Sequence, residues 1–202
     1  MTVDLSKKIY FGLGIILVLI ITFRPDYMPD YEGYVRGFYT TSNRELELTY
    51  YLIASVAHFL GDSYFVFFFI YAVIAVYIVM LSIRKQEGVL KTVCLPIIVW
   101  LSYIFIYQEM IQIRQAVASA LFLFSLQYIQ TKDYKKYFLI NTLGVLFHYS
   151  ALITFPIYFL STTKQYKVFY ISLIPISYLS YYSGMGIVNY IAYIDIDFVR
   201  NT

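Results

Sequence analysis

Long apolar runs separated by short polar segments make up most of this chain. The runs are Ile9–Phe23, Tyr64–Ile83, Thr92–Tyr107, Ile113–Ile129, Tyr137–Leu160 and Val168–Tyr182. Arg114 is the only Lys, Arg, Asp or Glu inside them. A helix needs about 20 apolar residues to cross roughly 30 Å of hydrocarbon, and Tyr64–Ile83 meets that length without a charge. Several of the other runs are shorter, so their boundaries are set only to within a few residues. The pattern predicts an all-α, polytopic transmembrane bundle of about six spans, forming one membrane domain over residues 1–202. The segment Glu47 to Leu60 is apolar but too short to span, which reads as a half-inserted or interfacial helix at the outer face.

Charge sets the orientation. Lysine and arginine collect in short cytoplasmic loops. Lys7-Lys8, then Arg84-Lys85 with Lys91, then Lys132 with Lys135-Lys136 alternate correctly if the N-terminus is inside. The run after Lys7-Lys8 ends in Arg24-Pro25 without a small-x-small cleavage site, which predicts an uncleaved first span. Residues 24 to 63 then lie outside. Tyr137–Leu160 has two readings. One helix would span, whereas two short helices meeting near His148 would keep Lys164 and Lys167 inside. Irregular backbone at membrane depth is tolerated where protein or a water-filled cavity surrounds it. In the second reading every lysine is cytoplasmic, while Arg24, Arg36, Arg44 and Arg114 are outside and need another reason to be there.

Composition agrees with a membrane class. The chain is 60% hydrophobic and 13% charged, with 24 Tyr and 17 Phe, and the tyrosines suit the headgroup boundary. A net charge of +3 carried on loop lysines says little about nucleic acid, and no nucleic-acid partner is expected. Cys94 is the single cysteine, and His58 and His148 stand apart, so neither a disulfide nor a zinc site is expected. No phosphate loop or nucleophile elbow occurs, and no cofactor is implied.

Four places carry candidate chemistry. Arg114 lies near the outer boundary, close to Glu109 in sequence and beside Gln115. A guanidinium there pairs with Glu109, or snorkels to the headgroups, or holds a phosphate through two parallel hydrogen bonds. Gln108, Gln112, Gln115 and Ser119 fall at helical spacing and predict a polar stripe. His148, at membrane depth, is either a bridge between helices or an acid–base group. Asp30, Tyr34 and Phe38 share one helical face, and with Arg36 and Glu47 they predict the lining of an outward cavity. His58 reads as structural.

These residues give the chain a resemblance to the EpsG and Wzy families of bacterial polysaccharide polymerases. The match runs through Asp30-x3-Tyr34-x3-Phe38, Glu47-Leu-Thr-Tyr50, Ile113-Arg114-Gln115-Ala116-Val117-Ala118, Lys135-Lys136-Tyr137 and Phe147-His148-Tyr149-Ser150-Ala151-Leu152. It implies a multi-pass protein of the bacterial cytoplasmic membrane that joins oligosaccharide repeat units carried on polyprenyl diphosphate. Arg114 would hold the diphosphate, with Gln115, Arg36, Tyr34 and Glu47 around the substrate. His148, Glu109 or Asp30 would take the proton from the attacking hydroxyl. Expected partners are the lipid-linked oligosaccharide, the bilayer and other polysaccharide assembly and export proteins. The alternative is a non-catalytic component that transports or assembles lipid-linked glycans. Members of these families usually have more spans, so the chain also reads as the N-terminal part of a longer polymerase.

Overall fold

The computed structural model describes residues 2–40, 47–85 and 94–162, together with residues 171, 172, 175, 178 and 179. The chain divides into a unit of Met1–Phe159 and a unit of Leu160–Thr202. The fold and site below belong to the first unit. The sixth predicted span falls largely outside the described residues, among which no strand occurs.

Helix α4 (Tyr64–Lys85) is the spine of the bundle. It starts after Ser63, whose Oγ accepts from the Phe65 N–H, and runs without a charge to Arg84. It is buried on more than one side, as an apolar helix with no polar face must be. On one flank packs α1 (Thr2–Thr22), where Leu17 and Ile21 join a cluster with Val76 and Met80. Tyr10 donates to the Met80 carbonyl at 2.6 Å. On another flank packs α6 (Ile113–Gln130), through Ala116, Val117, Ala120 and Leu121. Between them in sequence lie α2 (Tyr31–Tyr39), α3 (Leu48–Phe59) and the short α5 (Cys94–Val99). A π-helix, Trp100–Glu109, continues directly from α5.

Small residues let the next helix close on α6. At Gly144 of α7 (Tyr134–Phe147), an added Cβ would stand 3.6 Å from the Ala118 carbonyl oxygen and 3.6 Å from the Ala151 Cβ. Asn141 donates to Ser125 across the same contact at 2.9 Å. The start of α7 is capped by Asp133, which accepts from the Lys136 N–H.

The run Tyr137–Leu160 takes the second of its two predicted courses. Helix α7 stops at His148, whose backbone is extended (φ −159, ψ 124). A 3₁₀ turn, Tyr149–Thr154, follows and leads into α8 (Phe155–Thr162), with Pro156 in its first turn. The chain doubles back. Tyr137 donates to the Thr154 carbonyl at 2.6 Å, and the Tyr137 and Tyr158 rings lie 5.2 Å apart.

Helix length supports one of the roughly six expected spans. Among the described residues only Tyr64–Lys85 is long and apolar enough to cross a membrane. Lys8–Thr22, Leu48–Phe59, Cys94–Glu109 and Tyr149–Leu160 are shorter apolar helices. Helix α3 is a short apolar helix within the segment expected to be one. Tyr50, Ile53, Ala54 and Ala57 face inward, while Leu48, Leu52, Val56 and Phe59 are exposed. His58 is structural, as expected. It stacks on Phe38 at 4.0 Å, donates from Nε2 to the Phe38 carbonyl and pairs with Asp62.

The two ends of the bundle differ in their cations. At one end, Lys85 sits over the Phe124 ring and Lys136 lies near Tyr128 while pairing with Asp133. These residues come from the C-terminal ends of α4 and α6 and the start of α7. At the opposite end the chain brings together Arg24, the start of α6 with Arg114, and His148 at the close of α7.

Candidate functional site

Glu47 precedes the first turn of α3 with extended backbone (φ −65, ψ 150), the position of a helix cap. Its carboxylate makes no capping bond. It turns inward, is 3% exposed, and bridges two residues distant in sequence. One oxygen accepts from Arg114 Nη1. The other accepts from His148 Nδ1 at 2.8 Å. Burial raises the Glu47 carboxyl, but its own backbone N–H, His148 and Arg114 together outweigh this and hold it below the ordinary glutamate value.

Each partner arrives for a local reason. Arg114 sits in the first turn of α6, where the chain re-enters the bundle after the break at Met110–Gln112. His148 sits where α7 ends and the backbone becomes extended, which projects the ring out of the helix. In the neutral ring, Nδ1 carries the proton toward Glu47 and Nε2 is the acceptor. Nε2 makes no hydrogen bond among the described residues.

Two tyrosines flank the arginine. The Tyr34 and Tyr50 rings stand 5.7 and 5.9 Å from the Arg114 guanidinium carbon. Tyr50 donates to the Tyr34 carbonyl at 3.0 Å, which ties α3 to α2. Asp30, Gly33, Tyr34, Tyr50 and Arg114 line a cavity of about 240 Å³. Asp30 occupies the cap position of α2 in the left-handed region (φ 66) without a capping bond, so its carboxylate is free for the cavity. Two polar atoms here are buried without a protein hydrogen bond, Arg114 Nε and the Tyr71 hydroxyl. Tyr71 interacts electrostatically with Arg114 and Glu47. Buried polar atoms of this kind are normally satisfied, by water or ligand where protein does not serve.

The predicted residues therefore separate. Arg114, Glu47, His148, Tyr34 and Asp30 come together. Arg36 lies in the last turn of α2 and is exposed, and Phe38 is fully buried against His58 rather than lining the cavity. Gln115 is half-buried outside the cavity wall. The expected pairing of Arg114 with Glu109 is corrected, since Arg114 takes Glu47. Arg114 and Ala116 are two residues apart and face opposite sides of α6, and Glu109 lines a cavity on the Ala116 side. Glu109 is 2% exposed, with the Arg24 guanidinium as its charged neighbour. Burial pulls Arg24 down to about 10, opposed by Tyr34 and Glu109. The predicted polar stripe is also broken, because Gln108 ends up on the π-helix and Gln112 at the cap of α6.

Tyr50 and Tyr71 had no predicted role. Tyr50 lies three residues after Glu47, on the same face of the incipient helix, so its placement was available from spacing. Tyr71 lies mid-span among apolar residues, and nothing in its sequence context marks it.

Fold and site together define an all-helical protein with a membrane-length helix and, at one end of its bundle, an Arg–Glu–His cluster built on a buried glutamate. The model of the EpsG family matches residues 7–200, and the chain belongs to that family, which fits a role in polysaccharide biosynthesis. No curated protein and no solved structure matches the chain.

Proposed function

We propose that this protein polymerises oligosaccharide repeat units carried on polyprenyl diphosphate, as a multi-pass protein of the bacterial cytoplasmic membrane whose arginine end faces outward. The observation that carries the reading is Glu47, which holds a cation on one oxygen and an imidazole on the other. A hydroxyl of the acceptor sugar attacks the anomeric carbon of the donor. Its proton passes to His148 Nε2, and Glu47 stabilises the imidazolium that forms. The anomeric C–O bond to the diphosphate breaks, and the electron pair leaves with polyprenyl diphosphate. Arg114 stabilises that growing negative charge, with its unpartnered Nε as a ready donor. Tyr34 and Tyr50 form an aromatic wall for a sugar ring beside the guanidinium.

Glu109 is set aside as a base in this mechanism, because it lines another cavity. Asp30 keeps a place in the wall as a hydrogen-bond acceptor for sugar hydroxyls. The competing reading, a non-catalytic carrier or assembly partner, needs the arginine but has no use for an oriented imidazole. Purified protein incubated with a lipid-linked repeat unit separates the two. Chain lengthening supports the polymerase. Binding without lengthening supports the carrier.

A further inference from the structure

The face of α6 away from Arg114 lines a second cavity, of about 400 Å³, that the proposed reaction does not use. Most of its wall is apolar and comes from α4, the π-helix and α6, with Val79, Ile104, Ala120 and Leu123 among its residues. Its volume is at the low end for small-molecule pockets, which run to about 300–1,000 Å³. The polar groups in the wall are Trp100, Gln108, Glu109 and Ser119. Trp100 is 5% exposed, and its indole N–H, beside the Glu109 carboxyl, makes no hydrogen bond of normal geometry. A π-helix supplies both Trp100 and Glu109, and such helices are frequent at functional sites.

The wall selects the ligand. It is mostly apolar, so a charged head would lose its water there without regaining equal partners, and an uncharged head is favoured. The indole N–H needs an acceptor, and the carboxyl group of Glu109 can accept from a donor. A hydroxyl supplies both on one atom. The apolar wall takes an alkyl chain. We infer that this cavity binds an uncharged, hydroxyl-bearing lipid or long-chain alcohol, with its chain between α4 and α6 and its hydroxyl between Trp100 and Glu109. The site is independent of the Arg114 cluster.

Trp100 is the single tryptophan of the chain, so its fluorescence reports on this cavity alone. The full chain in lipid nanodiscs is titrated with brominated quenchers that share a dodecyl chain: an alcohol, a carboxylate and an alkane without a head group. Saturable quenching by the alcohol is expected, about tenfold tighter than by the alkane, which corresponds to about 1.4 kcal/mol for the hydroxyl. The carboxylate is expected to show no saturable phase. Ser119→Leu narrows the cavity and is expected to remove the alcohol's saturable phase. Non-saturating quenching by all three, unchanged by Ser119→Leu, is bilayer partition only and overturns the proposal. A carboxylate that binds the unmodified chain as tightly as the alcohol also overturns it.

Discussion

The Glu47 carboxylate meets the His148 imidazole at 2.8 Å although 101 positions of chain separate them. The contact orients the ring and fixes which nitrogen carries the proton. Glu47→Gln keeps the shape but removes the charge that stabilises the imidazolium. A hydrogen bond to a charged group is worth about 1.5–3 kcal/mol. Polymer made per unit of membrane protein is expected to fall roughly 10- to 150-fold. Unchanged synthesis would remove Glu47 from the mechanism.

His148 itself gives a sharper division. As a base, its replacement by alanine abolishes polymer while the protein reaches the membrane at near-normal levels. A histidine that only ties α7 to α3 predicts something else. Its loss would leave Glu47 short of a partner, and abundance and polymer would decline in step. Immunoblots of membranes beside polymer assays read both quantities.

Arg114→Lys keeps a positive charge and loses the flat, two-pronged donor. A clamp on diphosphate is expected to lose one charge-assisted hydrogen bond, about 1.5–3 kcal/mol, or roughly 10- to 150-fold in rate. Alanine is expected to be worse. If Arg114 serves only to balance Glu47, the lysine variant will make full-length product at the normal rate.

Glu47 also predicts a pH dependence of stability. Its folded-state carboxyl titrates below the ordinary value, so the charged form is favoured by folding. That contribution is fully present above the unfolded glutamate value, about 4.3, and is lost as pH falls through the lower folded value. Thermal midpoints of the parent and Glu47→Gln are expected to differ most near neutral pH and to converge as pH drops below about 4. A constant gap across that window would show that the carboxylate's charge adds nothing to stability.

Orientation can be read by labelling. Single cysteines at positions 36, 85 and 135, in a Cys94→Ser background, are treated with an impermeant maleimide on intact cells. Position 36 is expected to react, and positions 85 and 135 only after lysis, because Arg24 and Arg114 lie at the end of the bundle opposite Lys85 and Lys136. Glu109 is too buried to serve as an outer probe. Labelling at 85 but not at 36 would invert the protein and place the Arg114 cavity on the cytoplasmic side.

Much of this architecture follows from one-dimensional pattern. Apolar run length picks out α4 and α6 almost to the residue, because such runs must form helices to satisfy their own backbone. The short α3 is legible for the same reason, since twelve helical residues do not reach across a bilayer. The identity of Arg114 and His148 as costly residues is legible too, because a charge or imidazole amid apolar sequence needs a partner.

The partners themselves are not legible. Sequence proximity points Arg114 toward Glu109, yet the chain turns at Met110–Gln112, and the two residues end on opposite sides of α6. Glu47 looks like a surface cap of a shallow helix. It becomes the centre of the site only because α3, α6 and α7 converge at one end of the bundle, through contacts among residues tens of positions apart. Charge and hydropathy leave two courses open at His148, since both a continuous helix and a hairpin bury the same apolar surface. Tertiary contacts decide it: Tyr137 bonds to Thr154 and Glu47 captures the imidazole, which fixes the backbone where helix and hairpin diverge. Sequence determines which segments leave water and which side chains cannot stand alone. Three-dimensional packing decides which of those side chains meet, because that depends on helix rotation and crossing, and periodicity within a single segment does not specify either.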